Sequence, residues 1–241
     1  MLVVDVVAGP TVPIHLRQAP AVGPEPRSPG PLAQLEHHIG APLPAAVREW
    51  FRYGGADRAA ALGDNLITRT SDLTGPAVNR FLAAGHLLLE TDSQHCCRWI
   101  VSVSPGDDDP PVYLVDPDDQ ACATRTRYAD TFSAYAFSCV WDATLWRNNP
   151  LTGFDHPLPA DVVDRLTEWL TALPTTYGWA VNQSCNAVYR FGGEAEAALA
   201  VVGDTAVWSA IYAPSPALRH HLADIVGIPD DEPAPQRLNP A

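Results

Sequence analysis

The side chains able to do chemistry here are eight histidines, five cysteines and 28 carboxylates, and their spacing decides what they could do. A metal site on a helix needs ligands three or four residues apart. His37-His38 and His220-His221 are adjacent pairs that split around a helix, and the positions three and four beyond His37 are Gly40 and Ala41. No metal site is expected, and no HExxH or EF-hand pattern offers one. Cys96, Cys97, Cys122, Cys139 and Cys185 form an odd set without a CxxC, so no disulfide framework is expected. Cys97 beside Arg98 could have a lowered thiol pKa, against the simpler account of strand burial. Cys139 lies on an apolar stripe and reads as core. Glu90 and Asp92 sit at a hairpin, where solvated turn carboxylates are the ordinary case and a glycosidase pair the rare one. No GxSxG elbow, Walker loop or GxGxxG is present, so no catalytic residue and no cofactor is expected.

The formal net charge is -13, and all 15 basic residues are arginine. Such a balance argues against nonspecific nucleic-acid binding, which draws its energy from neutralising phosphates. It suits either solubility or a basic partner. No apolar run is long enough for a membrane span, and the apolar opening is interrupted by Asp5 with no basic residue before it. A cytoplasmic protein without nucleic-acid or membrane partners is the expectation.

The elements that would carry these residues follow from periodicity. Leu32, Leu35 and Ile39 predict a helix stopped by Gly40, and Leu43, Val47, Trp50 and Phe51 predict a second one ended by Gly54-Gly55. A short helix is expected after Pro76, then strands over 86–90, 97–103 and 112–115, pairing antiparallel across short turns. Asp130 is a candidate cap for a helix with Phe132, Tyr135, Cys139, Ala143 and Trp146 on one stripe. Trp141 falls off that stripe and is expected to be exposed. Beyond the break at Arg147-Asn-Asn-Pro150, a helix is expected over 159–173, strands over 187–191, 198–202 and 206–212, and a last helix capped by Ser215.

The succession Glu36, Gly40, Leu43-Pro44, Trp50-Phe51, Gly54-Gly55, continued by 85–90, 97–103, 111–116 and 132–135, resembles the SUKH superfamily of Smi/Knr-type domains over roughly 32–146. The resemblance implies an α+β fold with an antiparallel sheet covered on one side by helices. Trp50, Phe51, Trp99, Phe132 and Tyr135 would then share one core. The chain divides on this reading into a proline-rich arm over 1–31, a SUKH-like domain over 32–149, an α+β unit over 150–228 that extends it, and an acidic, proline-rich tail over 229–241. Leu43-Pro-Ala45 and Leu158-Pro-Ala160 both open helices, which leaves an internal duplication open.

The resemblance further implies a non-catalytic protein-binding module. Many bacterial members look like immunity proteins that neutralise nuclease toxins of polymorphic toxin systems, and eukaryotic members look like cell-wall and signalling regulators, so a regulatory or scaffolding role is the alternative. An unrecognised hydrolase is a third reading. On the immunity reading the expected contact residues are Glu90, Asp92, Asp107, Asp108 and Asp109, as exposed acids competing for a basic cleft, with Trp141 as an apolar contact. Neutralising Asp107, Asp108 and Asp109 is expected to slow association with little change in stability.

Overall fold

The computed structural model describes residues 30–119, 121–178 and 186–228. Nearly all of the arm, the tail, Trp179 and Cys185 lie outside the described residues. The fold is α+β, with two antiparallel sheets and helices, as expected. The chain divides into two compact units, Met1–Val140 and Trp141–Ala241, so the division falls inside a helix and not after residue 149.

In the first unit, α1 (Gly30–Ile39) ends at Gly40, whose φ of +77° is the left-handed conformation glycine allows. Glu36 Oε1 accepts both the Leu43 backbone N–H (2.9 Å) and Arg48 Nε (2.8 Å), tying α1 to α2 (Ala45–Arg52). Gly54-Gly55 does more than the expected stop. Gly54 turns the chain at φ +73°, and α3 (Gly55–Leu62) begins at once. A Cβ on Gly55 would lie 2.3 Å from Trp50 Cε3, so the buried indole occupies the place a side chain would take.

There follow β1 (Leu66–Ile67), α4 (Pro76–Leu82), β2 (His86–Thr91), β3 (Arg98–Ser102), β4 (Val112–Val115), β5 (Thr126–Ala129) and α5 (Phe132–Arg147). The five strands form a meander in sequence order, every pair antiparallel. The three expected strands are present. The short β1 and the half-exposed β5 carried no periodic signal. The core is strung along aromatic contacts: Trp50 to Phe132 (6.2 Å between ring centroids), Phe132 to Tyr135 (5.7 Å), Tyr135 to Tyr128 (6.3 Å) and Tyr128 to Trp99 (5.8 Å). Such tilted and edge-on pairs add to the area they bury.

Thr131, not Asp130, caps α5, accepting the Ala134 N–H at 3.0 Å, while Asp130 pairs with Arg127. Trp141 is a correction: it is 3 % exposed. Phe137, Trp141 and Leu145 recur every four residues and are buried alongside Phe132 and Tyr135, so α5 is apolar on more than one face. Trp146, on the stripe expected to be inward, is 37 % exposed.

The second unit has a sheet of its own. It comprises β6 (Leu151–Pro157), α6 (Val162–Trp169), β7 (Thr171–Ala172), β8 (Ala187–Gly192), β9 (Glu196–Val202), β10 (Thr205–Tyr212) and α7 (Pro216–Val226), with strand order β6-β10-β9-β8-β7. The expected helix over 159–173 is shorter, because Thr171 and Ala172 join the sheet opposite Gly192 and Phe191. Gly203-Asp204 is the two-residue hairpin between β9 and β10, with Gly203 at φ +60°. Ser215 Oγ caps α7 by accepting the Leu218 N–H at 3.2 Å. Leu166, Phe191, Leu199, Ile211 and Leu222 form the core between helices and sheet.

Both units run from a helix through a two-residue strand to a three-strand meander and a closing helix, with α4 inserted before the meander of the first. The fifth strand differs in origin, since β5 follows the meander of the first sheet and β6 precedes the helix of the second.

Candidate functional site

Glu90 was expected on the surface, and the structure corrects this: it is 6 % exposed. The pairing of β2 with β3 slips between Leu88 and Glu90, so that Glu90 lies opposite Trp99. Directly opposed residues share a sheet face, and the bulge thereby turns a carboxylate toward the aromatic core. There Oε2 accepts the Tyr135 hydroxyl at 2.9 Å and Oε1 accepts Asn65 Nδ2 at 2.5 Å. Burial, followed by the Glu90 charge, pushes the Tyr135 phenol far above its ordinary value. The network ends at the surface, where Asn65 Oδ1 accepts the Ser93 N–H at 3.0 Å.

The remaining expected acids are not brought together. In a meander, successive turns lie at alternate ends of the sheet. Asp92, after β2, is therefore at one end, and Asp107, Asp108 and Asp109, after β3, are at the other. Asp107 and Asp108 are exposed, whereas Asp92 and Asp109 are half-buried. Asp109 also has a structural task, since its Oδ1 accepts the Ser133 N–H in the first turn of α5 at 2.8 Å. The Asp108 carbonyl accepts the Ala46 N–H at the start of α2 at 2.9 Å. These groups satisfy helix N-terminal donors that have no partner within their own helix, so removing the Asp109 carboxylate costs about 1 kcal/mol. Asparagine at 109 keeps an acceptor oxygen for this bond, whereas alanine removes it.

At the Asp92 end stand two carboxylates that sequence reasoning missed, Asp116 and Asp118, both exposed. Arg98 donates to the Pro117 carbonyl and joins the β2–β3 and β4–β5 loops. Each of the three meander loops holds an aspartate that accepts the N–H two residues on: Asp92 from Gln94 (2.9 Å), Asp107 from Asp109 (3.0 Å) and Asp116 from Asp118 (2.8 Å). Much of the acidity of these loops is thus turn chemistry. Alternation of loops along an antiparallel run was the signal that could have paired Asp92 with Asp116.

Cys97 is buried, and its thiol pKa is pushed far up by burial first and by Asp92 and Glu90 next. Arg98 does not activate it, because its guanidinium lies over the Phe81 ring at 5.6 Å. Cys96 is exposed, Cys122 buried and Cys139 half-buried. His156 Nε2 stands 2.8 Å from Ser209 Oγ, a spacing that a nucleophile and its base would have. Ser209 is fully buried, so no substrate reaches its oxygen, and the pair ties β6 to β10. Among the described residues no three His, Cys, Asp or Glu side chains could hold a metal ion, and no helix is long and apolar enough to cross a membrane.

His86 donates from Nδ1 to the Ala84 carbonyl at 2.8 Å. Burial, and then the Arg125 charge, lowers its pKa below 6.5 in spite of that bond. Below pH 6.5 the unfolded chain binds the proton more readily, so stability present at neutral pH falls until the folded histidine titrates. Replacing His86→Gln is expected to flatten the decline in urea midpoint as the pH falls below 6.5. An unchanged pH slope would show that His86 does not contribute.

Large apolar side chains are exposed at Tyr53, Leu66, Trp146, Phe154 and Trp169. Leu66 lies on β1 opposite Thr91, at the Asp92 end of the first sheet. No protein-family model, no curated protein and no solved structure matches this chain.

Proposed function

We propose that this chain is a non-catalytic protein-binding module whose role is to neutralise a basic, nuclease-type bacterial toxin domain in the cytoplasm. The observation that carries this is the acidic end of the first sheet, where Asp92, Asp116 and Asp118 stand on two loops joined by Arg98, with Leu66 exposed on β1. An apolar contact rimmed by charge is the usual anatomy of a protein interface. The net charge of -13 and the resemblance to SUKH immunity domains support the same reading. Carboxylates on such a surface compete with nucleic acid for the basic groups of a nuclease and accelerate encounter.

The test is stopped-flow association with the toxin domain encoded beside this chain's gene, over a salt series. Asn keeps the turn-forming oxygen of each aspartate and removes only its charge. Asp92→Asn, Asp116→Asn and Asp118→Asn together are expected to slow association about tenfold at low salt. Asp107→Asn with Asp108→Asn, at the opposite end, is the control and is expected to change the rate less than twofold. Equal slowing by both sets would move the interface away from the Asp92 end, and absence of binding would leave the regulatory alternative standing in place of immunity.

A further inference from the structure

Arg98 puts a cation on the end of the sheet proposed to attract cations, and its contacts show what it does there. As the first residue of β3, it stands opposite Thr91, the last of β2, and Val115, the last of β4. The loops that carry Asp92 and Asp116 therefore spring from its two neighbours. Its half-buried side chain runs to the second loop, where the guanidinium lies over the buried Phe81 ring and Nη1 donates to the Pro117 carbonyl, between Asp116 and Asp118. A planar guanidinium can stack and donate at once, which fixes both the side chain and the loop it holds.

Each of the two loops is closed by bonds of its own. The Asp92 N–H donates to the carbonyl of Cys97, the residue before Arg98, at 3.1 Å, and Asp92 Oδ2 accepts the Cys96 N–H at 3.2 Å. In the other loop the Asp116 carbonyl accepts the Asp119 N–H at 3.1 Å. Cys122, fully buried in the cluster around Phe81, anchors the far part of that loop. Loss of Arg98 thus loosens the stretch around Pro117 locally and leaves the rest of the loop attached.

We infer that Arg98 is a positioning residue, which holds Asp92, Asp116 and Asp118 in one fixed arrangement for the basic partner, while its own charge takes no part in attracting it. The inference rests on the proposed function for its partner, but the order of the loops is measured without one. A preorganised surface loses little freedom on binding, and the affinity gained this way appears as slow dissociation. Charges at a rim act on encounter instead, so the two roles separate in the rate constants.

Amide hydrogen exchange on the full-length 15N-labelled chain compares wild type with Arg98→Met and Arg98→Lys. In Arg98→Met the amides of Gln94, Cys96, Asp118 and Asp119 are expected to exchange about tenfold faster, while those in the middle of β2 and β3 keep their rates. Arg98→Lys keeps the charge and a donor but not the planar fork, and should speed the same loop amides only about threefold. In stopped-flow with the toxin domain encoded beside this chain's gene, Arg98→Met should associate no more slowly than wild type, since the acidic end loses a cation, and dissociate about tenfold faster. Loop amides that keep their wild-type rates would overturn the inference. So would equal acceleration of loops and strands, which marks a purely structural residue, or slower association with unchanged dissociation. If the wild-type chain does not bind the toxin domain, the proposed function falls, and the exchange rates alone decide whether Arg98 positions the loops.

Discussion

Asp142→Ala is expected to destabilise the second unit by about 3–5 kcal/mol, and Arg190→Met by clearly less. The two side chains form a bidentate pair, with Nε to Oδ1 and Nη2 to Oδ2 both at 2.7 Å. Their surroundings are unequal. Arg190 is 1 % exposed, whereas the Asp142 side chain keeps 26 % of its surface in solvent. Removing the acid takes both charge-assisted bonds from a buried guanidinium, whose neutral acceptors include Thr176 Oγ1 at 2.9 Å and the Val188 carbonyl at 3.2 Å. Removing the arginine leaves a carboxylate that water can reach, and methionine fills part of the space. Urea unfolding of both variants gives the comparison. Equal losses would mean that Arg190 packs mainly through its aliphatic stem and that the charge pair contributes little.

The second large effect is expected at Glu90. Glu90→Ala should cost about 3 kcal/mol, since it leaves the Tyr135 hydroxyl and the Asn65 amide without their buried acceptor and opens a cavity among aromatics. Tyr135→Phe, which removes one donor and no volume to speak of, should cost about 1–2 kcal/mol. The double variant should cost less than the sum, because the two changes break the same hydrogen bond. Chemical denaturation at neutral pH measures all three. A Glu90→Ala chain as stable as wild type would show that the carboxylate is solvated, as turn residues ordinarily are.

What the sequence revealed depended on how far each signal reached. Helices with a one-sided stripe were legible, Val47, Trp50 and Phe51 on α2 being the clearest, because burial on one face imposes the helical period on the residue types. Trp141 was misplaced by the same rule, since α5 buries more than one face and has no single stripe to stand off. Glu90 was misread because a β-bulge, which periodicity does not mark, sets which way its side chain turns. The other acids of the expected site were legible as loop residues, and the alternation of loops along a meander separates Asp92 from Asp107, Asp108 and Asp109. The helical period places Trp169 on the stripe of Val162 and Leu166, yet it is 58 % exposed at the end of α6, because α6 stops there and the chain turns into β7.

The different origin of the fifth strand has a consequence during synthesis. Every neighbour in the first sheet is also a neighbour in the sequence, so that sheet can close while the rest of the chain is still being made. The second sheet cannot. Leu151 pairs with Ile211 and Pro157 with Thr205, so β6 leaves the ribosome well before β10 and waits without its hydrogen-bonding partner until the hairpin of β9 and β10 has been translated. Phe154, which remains 59 % exposed in the folded chain, sits in the middle of that waiting strand. The interval between β6 and β10 is therefore the time at which a nascent chain is most open to pairing with the wrong strand, and slow translation across residues 158–204 lengthens it.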